Sequence, residues 1–140
     1  MTSDTFTDFK PYQSQDEEEY MNERQKEHFR AILTGWKEEL MEGSRRTVSQ
    51  MQDEFVHLAD PNDRASQEEE FSIALRARDR ERKLLRKINS ALQRLANDSY
   101  GYCEACGIEI GIRRLEVRPT AELCIDCKHL EEIREKSQAA

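Results

Sequence analysis

Four cysteines fall in two pairs, Cys103-Glu104-Ala105-Cys106 and Cys124-Ile125-Asp126-Cys127, with seventeen residues between them. That spacing wraps four thiolates around one tetrahedral Zn²⁺. Two other chemistries suit the residues less well. A thioredoxin-like redox pair needs one CxxC in a βαβ setting and has no use for a second, and two structural disulfides do not suit a reducing compartment. A site of four cysteines is coordinatively closed, so the metal's expected role is to hold a small lobe together rather than to activate water.

The other residues with chemical potential are carboxylates on the turn Asp60-Pro61-Asn62-Asp63-Arg64-Ala65. Part of that turn is what any helix start requires: Asp60 as N-cap, Pro61 at the first helical position, and Asp63 where a carboxylate favours the helix dipole. The charge beyond it is segregated. Between 60 and 75, Asp60, Asp63, Glu68, Glu69 and Glu70 face only Arg64, whereas 76–87 hold Arg76, Arg78, Arg80, Arg82, Lys83, Arg86 and Lys87 against Asp79 and Glu81. A solvated helix face usually mixes its signs, so an acidic end followed by a basic shaft points to a docking surface. Arg113, Arg114, Arg118 and Lys128 make the cysteine lobe locally basic. Solubilising charge is the plain reading of these residues; beside a shaft bearing Lys87 they also have the chemistry to cradle a polyphosphate.

Long helices must position these groups. Asn22 suits an N-cap, with Gln25 three residues on to complete a capping box. From there Phe29, Leu33, Trp36 and Leu40 recur at spacings of four, three and four, and the stripe resumes at Val48, Met51, Phe55 and Leu58. Gly43-Ser44 interrupts it and predicts a bend or loosened packing, because glycine costs on the order of 1 kcal/mol within a helix. Behind the turn, Phe71, Ala74, Arg78, Glu81, Leu85, Ile88, Leu92 and Leu95 keep a stricter three-four alternation whose apolar character fails at Arg78 and Glu81, which are placed to pair with each other. The chain therefore doubles back into a rod, and about 35 residues per arm give roughly 50 Å at 1.5 Å per residue. A rod two helices thick encloses no pocket for a small substrate.

The predicted fold is mainly α: a long antiparallel two-helix coiled coil with a small four-cysteine zinc-finger globular lobe and a C-terminal helix. Residues 1–21 form an acidic, partly irregular arm, interrupted by Pro11 and anchored only by Phe6, Phe9 and Tyr12, for which docking on the lobe and a solvated tail both stay open. The hairpin occupies 22–98, with its tip at 58–65. The lobe and last helix occupy 99–140, with a short strand pair around Ile108–Ile112 and helix from Cys124 through Glu135. A formal net charge of −7 and a pI near 5.1 argue against a general nucleic-acid coat. Charged residues make up 36% of the chain, no apolar stretch approaches the roughly 18 residues of a membrane span, and the N-terminus lacks a signal-peptide pattern. The expectation is a soluble, cytoplasmic, monomeric protein that is not an enzyme and works on a protein partner.

Several of these segments together resemble the DksA/TraR zinc-finger family of bacterial RNA polymerase-binding transcription factors. The resemblance runs from about Tyr20 to the C-terminus. It is carried by Asp60-Pro61-Asn62-Asp63-Arg64-Ala65 through Phe71, by Arg78-Asp79-Arg80-Glu81-Arg82-Lys83-Leu84, by Gly101-Tyr102-Cys103, by Cys106-Gly107 through Glu116, by Arg118-Pro119-Thr120-Ala121, and by Cys124-Ile125-Asp126-Cys127-Lys128. It implies binding to RNA polymerase with the coiled coil inserted through the secondary channel, and no direct contact with promoter DNA. Asp63 and Ala65, with Asp60 beside them, are then the tip residues acting near the catalytic centre. Arg76, Arg80 and Lys83 hold the shaft against the channel rim, and Lys87, Arg118 and Lys128 match the positions that bind guanosine tetraphosphate (ppGpp) at the interface with polymerase. The family shifts open-complex stability, repressing ribosomal RNA promoters and activating amino-acid biosynthetic ones during the stringent response. The extreme N-terminus departs from the family pattern.

Two rival readings keep some of these features. Transcript-cleavage factors of the Gre type also carry tip carboxylates, there to hold a catalytic Mg²⁺, and accelerated RNA cleavage in backtracked complexes would mark that function. A zinc-ribbon module binding DNA or RNA directly would rest on Arg113, Arg114 and Arg118, and would show salt-sensitive affinity without polymerase.

Overall fold

The computed structural model describes residues 6–55 and 61–139. Two long helices, α1 (Glu23–Phe55) and α2 (Pro61–Ala96), pack against each other as a hairpin and are followed by two shorter ones, α3 (Ile112–Val117) and α4 (Ile125–Ala139). The start of α1 is capped as its sequence suggests, with one change. Asn22 Oδ1 accepts from the Gln25 amide at 2.9 Å, but the Gln25 side chain reaches one residue further back than a standard capping box, accepting from the Met21 amide at 2.7 Å. Met21 has φ 54, so its backbone turns that amide toward the helix.

The core lies at one end of the rod. Phe29, Ile32, Leu33, Trp36 and Leu40 of α1 meet Ile88, Ala91 and Leu95 of α2, and this cluster continues into the lobe through Tyr100, Cys103, Ile110, Leu115 and Cys124. Ile32 lies beside the expected stripe and is as buried as its members. α1 runs through Gly43 without a break, and Thr47 Oγ1 donates back to the Gly43 carbonyl at 3.0 Å. Beyond Leu40, no side chain of α1 is buried among the described residues. The seam of α2 behaves likewise: Ile88 and Leu95 are buried, Ala74, Arg78, Glu81 and Leu85 are half-buried, and Phe71 is 37% exposed.

α2 ends in a Schellman motif, with Ser99 N–H donating to the Arg94 carbonyl at 2.9 Å and Asp98 N–H to that of Leu95 at 3.5 Å. The left-handed position is filled by Asp98 (φ 63) rather than glycine. Aspartate tolerates that conformation, and here it gains a partner, because its carboxylate accepts from Lys26 Nζ of α1 at 2.7 Å. Gly101, at φ 93, has no such freedom of type: a Cβ there would lie 2.9 Å from Met21 Cγ.

The strand pair expected around Ile108–Ile112 is reduced to one isolated antiparallel bridge, Tyr102 with Glu109. Gly107 and Gly111 both take positive φ, 79 and 102, which interrupts extended backbone on either side of Ile108–Ile110. Ile112 instead opens α3, a helix with no side-chain cap at its start and hence no local sequence signal.

Candidate metal centre and docking surface

The cysteine pairs come from two backbone knuckles. In the first, Cys103 N–H donates to the Ile108 carbonyl at 2.8 Å and Gly107 N–H to that of Cys103 at 2.9 Å, folding Cys103 and Cys106 onto one side. The second opens α4, where Lys128 N–H donates to the Cys124 carbonyl at 2.9 Å and the Cys127 amide points at Cys124 Sγ from 3.4 Å. The knuckles are joined by a bond from Glu104 N–H to the Glu122 carbonyl at 2.9 Å. As a result the four sulfurs all lie within 4.8 Å of one another.

These residues fit one zinc ion. Four Zn–S bonds of about 2.3 Å in a tetrahedron set the sulfurs about 3.8 Å apart, and Cys106 Sγ lies 3.7 Å from Cys124 Sγ. Burial would raise the Cys103 thiol, yet the backbone amides of Cys124, Cys106 and Ala105 bring it down to about 6. The thiols of Cys124, Cys106 and Cys103 push Cys127 up to about 12. Thiolates this close repel one another, and a divalent cation among them is the group that lets all four ionise.

The candidate nucleotide cations lie on three elements. Lys87 is exposed on α2, Arg118 is exposed at the end of α3 with its amide bonded to the Arg114 carbonyl at 2.8 Å, and Lys128 is half-buried in the first turn of α4. Lys128 Nζ donates to Glu131 Oε2 at 3.1 Å. On the shaft, Arg76, Arg80 and Lys83 are exposed and, with Ile73 and Asp79, line a shallow hollow of about 460 Å³ on one face of α2. Ile73, 55% exposed, gives this cationic face an apolar contact point. At the tip, Asp60 lies outside the described residues, Asp63 is described as helix backbone of α2, and Ala65 is exposed.

Two residues that join these parts carry no signal in the sequence. Glu116 Oε2 accepts from the Tyr12 amide at 2.8 Å and lies 3.0 Å from His28 Nε2, linking the N-terminal arm, α1 and α3. Tyr20 Oη donates to the Gly101 carbonyl at 2.7 Å and accepts from the Gly111 amide at 2.9 Å, so burial and these bonds fix the arm against the lobe. In a chain this rich in carboxylates, no periodicity distinguishes Glu116 from its neighbours.

A helical hairpin joined at its base to a lobe built on four clustered cysteines defines a helical zinc-finger class of protein. Residues 25–95 match the N-terminal domain of DnaK suppressor protein DksA, and residues 98–132 match the prokaryotic DksA/TraR C4-type zinc finger. The chain belongs to the DksA family. It is 62% identical over 130 residues to the RNA polymerase-binding transcription factor DksA of Haemophilus influenzae, covering 93% of this chain and 90% of that one. To the DksA of Escherichia coli K12 it is 60% identical over 129 residues, covering 92% of this chain and 85% of that one. Among solved structures, transcription factor DksA2 from Pseudomonas aeruginosa superposes with a TM-score of 0.78 at 43% identity, over 84% of this chain and 90% of that one.

Proposed function

We propose that this chain is an RNA polymerase-binding transcription regulator that works by inserting its hairpin tip through the secondary channel and shifting open-complex stability together with ppGpp. The observation that carries the reading is the exposed row Ile73, Arg76, Arg80 and Lys83 on a hairpin whose buried core, among the described residues, lies at its base. A solvent-exposed cationic face with one apolar contact point suits docking against an acidic partner surface. The names of the relatives support polymerase as the partner.

In this reading the rod delivers Asp60, Asp63 and Ala65 close to the catalytic centre. Binding one polymerase conformation better than another then moves populations without any covalent step. Zinc, held by Cys103, Cys106, Cys124 and Cys127, supplies folding free energy to the lobe. The nucleotide, held between polymerase and the cations Lys87, Arg118 and Lys128, contributes coupling between the sites.

The test is transcription in vitro from a ribosomal RNA promoter with purified polymerase, with and without ppGpp. Arg118→Ala and Lys128→Ala should lose the added effect of the nucleotide and keep the nucleotide-independent inhibition. Equal loss of both effects would remove the nucleotide role assigned to these cations.

A further inference from the structure

The loop between α3 and α4 begins with Arg118 and ends at Cys124, and its carbonyls are held in turn by side chains from elsewhere. Tyr100 Oη donates to the Pro119 carbonyl at 2.7 Å, Arg94 Nη1 to that of Ala121 at 3.5 Å, and Arg114 Nε to that of Leu123 at 3.2 Å. Among these, only Arg94 reaches across from the rod, since Tyr100 lies in the connection after α2 and Arg114 in α3. Its residue is 9% exposed, its guanidinium lies 5.8 Å over the Tyr100 ring, and its Nη2 is 3.9 Å from Glu122 Oε1. A buried cation with a long stem is a costly way to fill a core, so its place here calls for an account beyond packing.

Arg94 also lies on a particular face. Arg76, Arg80, Lys83 and Lys87 recur at spacings of four, three and four along α2, and Arg94 follows seven residues after Lys87. Two helical turns return to nearly the same azimuth, with a rise of about 10 Å. The stripe that is exposed from Arg76 to Lys87 is therefore covered by the lobe at Arg94, and the covering segment is the one carrying Arg118.

From this placement we infer that Arg94 is a positioning residue that fixes the loop 118–123 against the shaft, and thereby holds Arg118 and Lys128 in register with Lys87. This rests on the nucleotide role proposed above and adds its geometric determinant. The Arg94 backbone carbonyl closes α2 by accepting from Ser99 and Tyr100, and its side chain carries that fixed point over to the loop. Without it, the three cations would still be present but on elements free to shift relative to one another, and the cost of ordering them would fall on nucleotide binding.

Two measurements on zinc-loaded, full-length protein test the inference. Arg94→Met keeps the stem and removes the charge, Arg94→Gln keeps donors without charge, and Arg94→Lys keeps the charge without the planar fork. In both neutral variants, hydrogen exchange of the 118–123 amides should accelerate while that of buried α1 amides stays as in the parent. In transcription with polymerase, the ppGpp concentration giving half-maximal effect should rise about tenfold, the scale of one lost charge-assisted contact, with Arg94→Lys recovering part of the loss. If either neutral variant shows parental loop exchange, the positioning role is overturned. If exchange accelerates and the half-maximal concentration does not move, while Arg118→Ala loses the response, the coupling of loop to nucleotide is overturned. If Arg118→Ala itself keeps a full response, the nucleotide assignment falls, and this inference with it.

Discussion

The two halves of the rod are built from the same residue types and use them differently. At the base, Phe29 and Leu33 of α1 and Ile88 and Leu95 of α2 are all at most 1% exposed. In the distal half, Phe71 is 37% exposed, Leu75 41% and Ile73 55%. The base has the lobe and the N-terminal arm to pack against, whereas two helices alone cover only one stripe of each other. Among the described residues, burial is thereby concentrated where the cysteine lobe sits, and the distal half of α2 is left as surface with segregated charge.

The largest effect expected from this contrast is removal of zinc. Cys103 and Cys124 are members of the same buried cluster as Leu33 and Ile88, so Cys103→Ser or chelation should unfold the lobe and loosen the base, with a fall in Tm on the order of 10 °C or more. A metal-free variant that melts at the parental temperature would separate lobe from base and break the comparison. Next in size is the packed base itself: Phe29→Ala should cost about 3–5 kcal/mol in urea unfolding, and Phe71→Ala below about 1 kcal/mol. Similar costs at the two positions would mean that the distal half is as well packed as the base.

Asp63→Asn sharpens the contrast from the functional side. It should change stability by no more than about 0.5 kcal/mol, leave polymerase binding largely intact, and abolish promoter regulation. Loss of binding together with regulation would show that the tip contributes affinity rather than effect.

The smallest expected effect is the pH dependence of the pair that ties the end of α2 to the start of α1. The hydrogen bond from Lys26 holds the Asp98 carboxyl below its ordinary 3.8, and the bonds to Asp98 and Glu23 hold Lys26 above 10.5. A depressed carboxyl contributes stability that is full above its unfolded value and lost as pH falls through the folded one; a raised ammonium contributes stability that is full below its unfolded value and lost as pH rises through the folded one. The pair is therefore flat across neutral pH. The difference in Tm between the parent and Asp98→Asn should persist at pH 7 and shrink below about pH 4. A difference that stays constant through acid would assign the role of Asp98 to its left-handed backbone alone.

What could be read in the sequence follows the same division. The cysteine spacing, the Asn22 cap and the stripe through Phe29, Leu33, Trp36 and Leu40 are local patterns with a period, and each produced the corresponding element. The seam of α2 was legible as a helix but not as a gradient of burial, because the period is the same at Phe71 as at Ile88 and only the lobe distinguishes them. α3 was missed because a six-residue helix without a cap has no pattern to show. Glu116 and Arg94 were missed because their roles are set by contacts far away in the chain, to Tyr12 and His28 in one case and to Ala121 in the other.

Insertion of the distal half of the hairpin into polymerase, as proposed above, is open to a direct test. A benzophenone side chain placed at the exposed Ser66, next to the tip residues and leaving them unchanged, tests it in one photocrosslinking experiment with purified RNA polymerase. An adduct to polymerase residues lining the secondary channel near the catalytic centre is the expected result. Efficient binding with no such adduct, or an adduct confined to the outer surface of the enzyme, would contradict it.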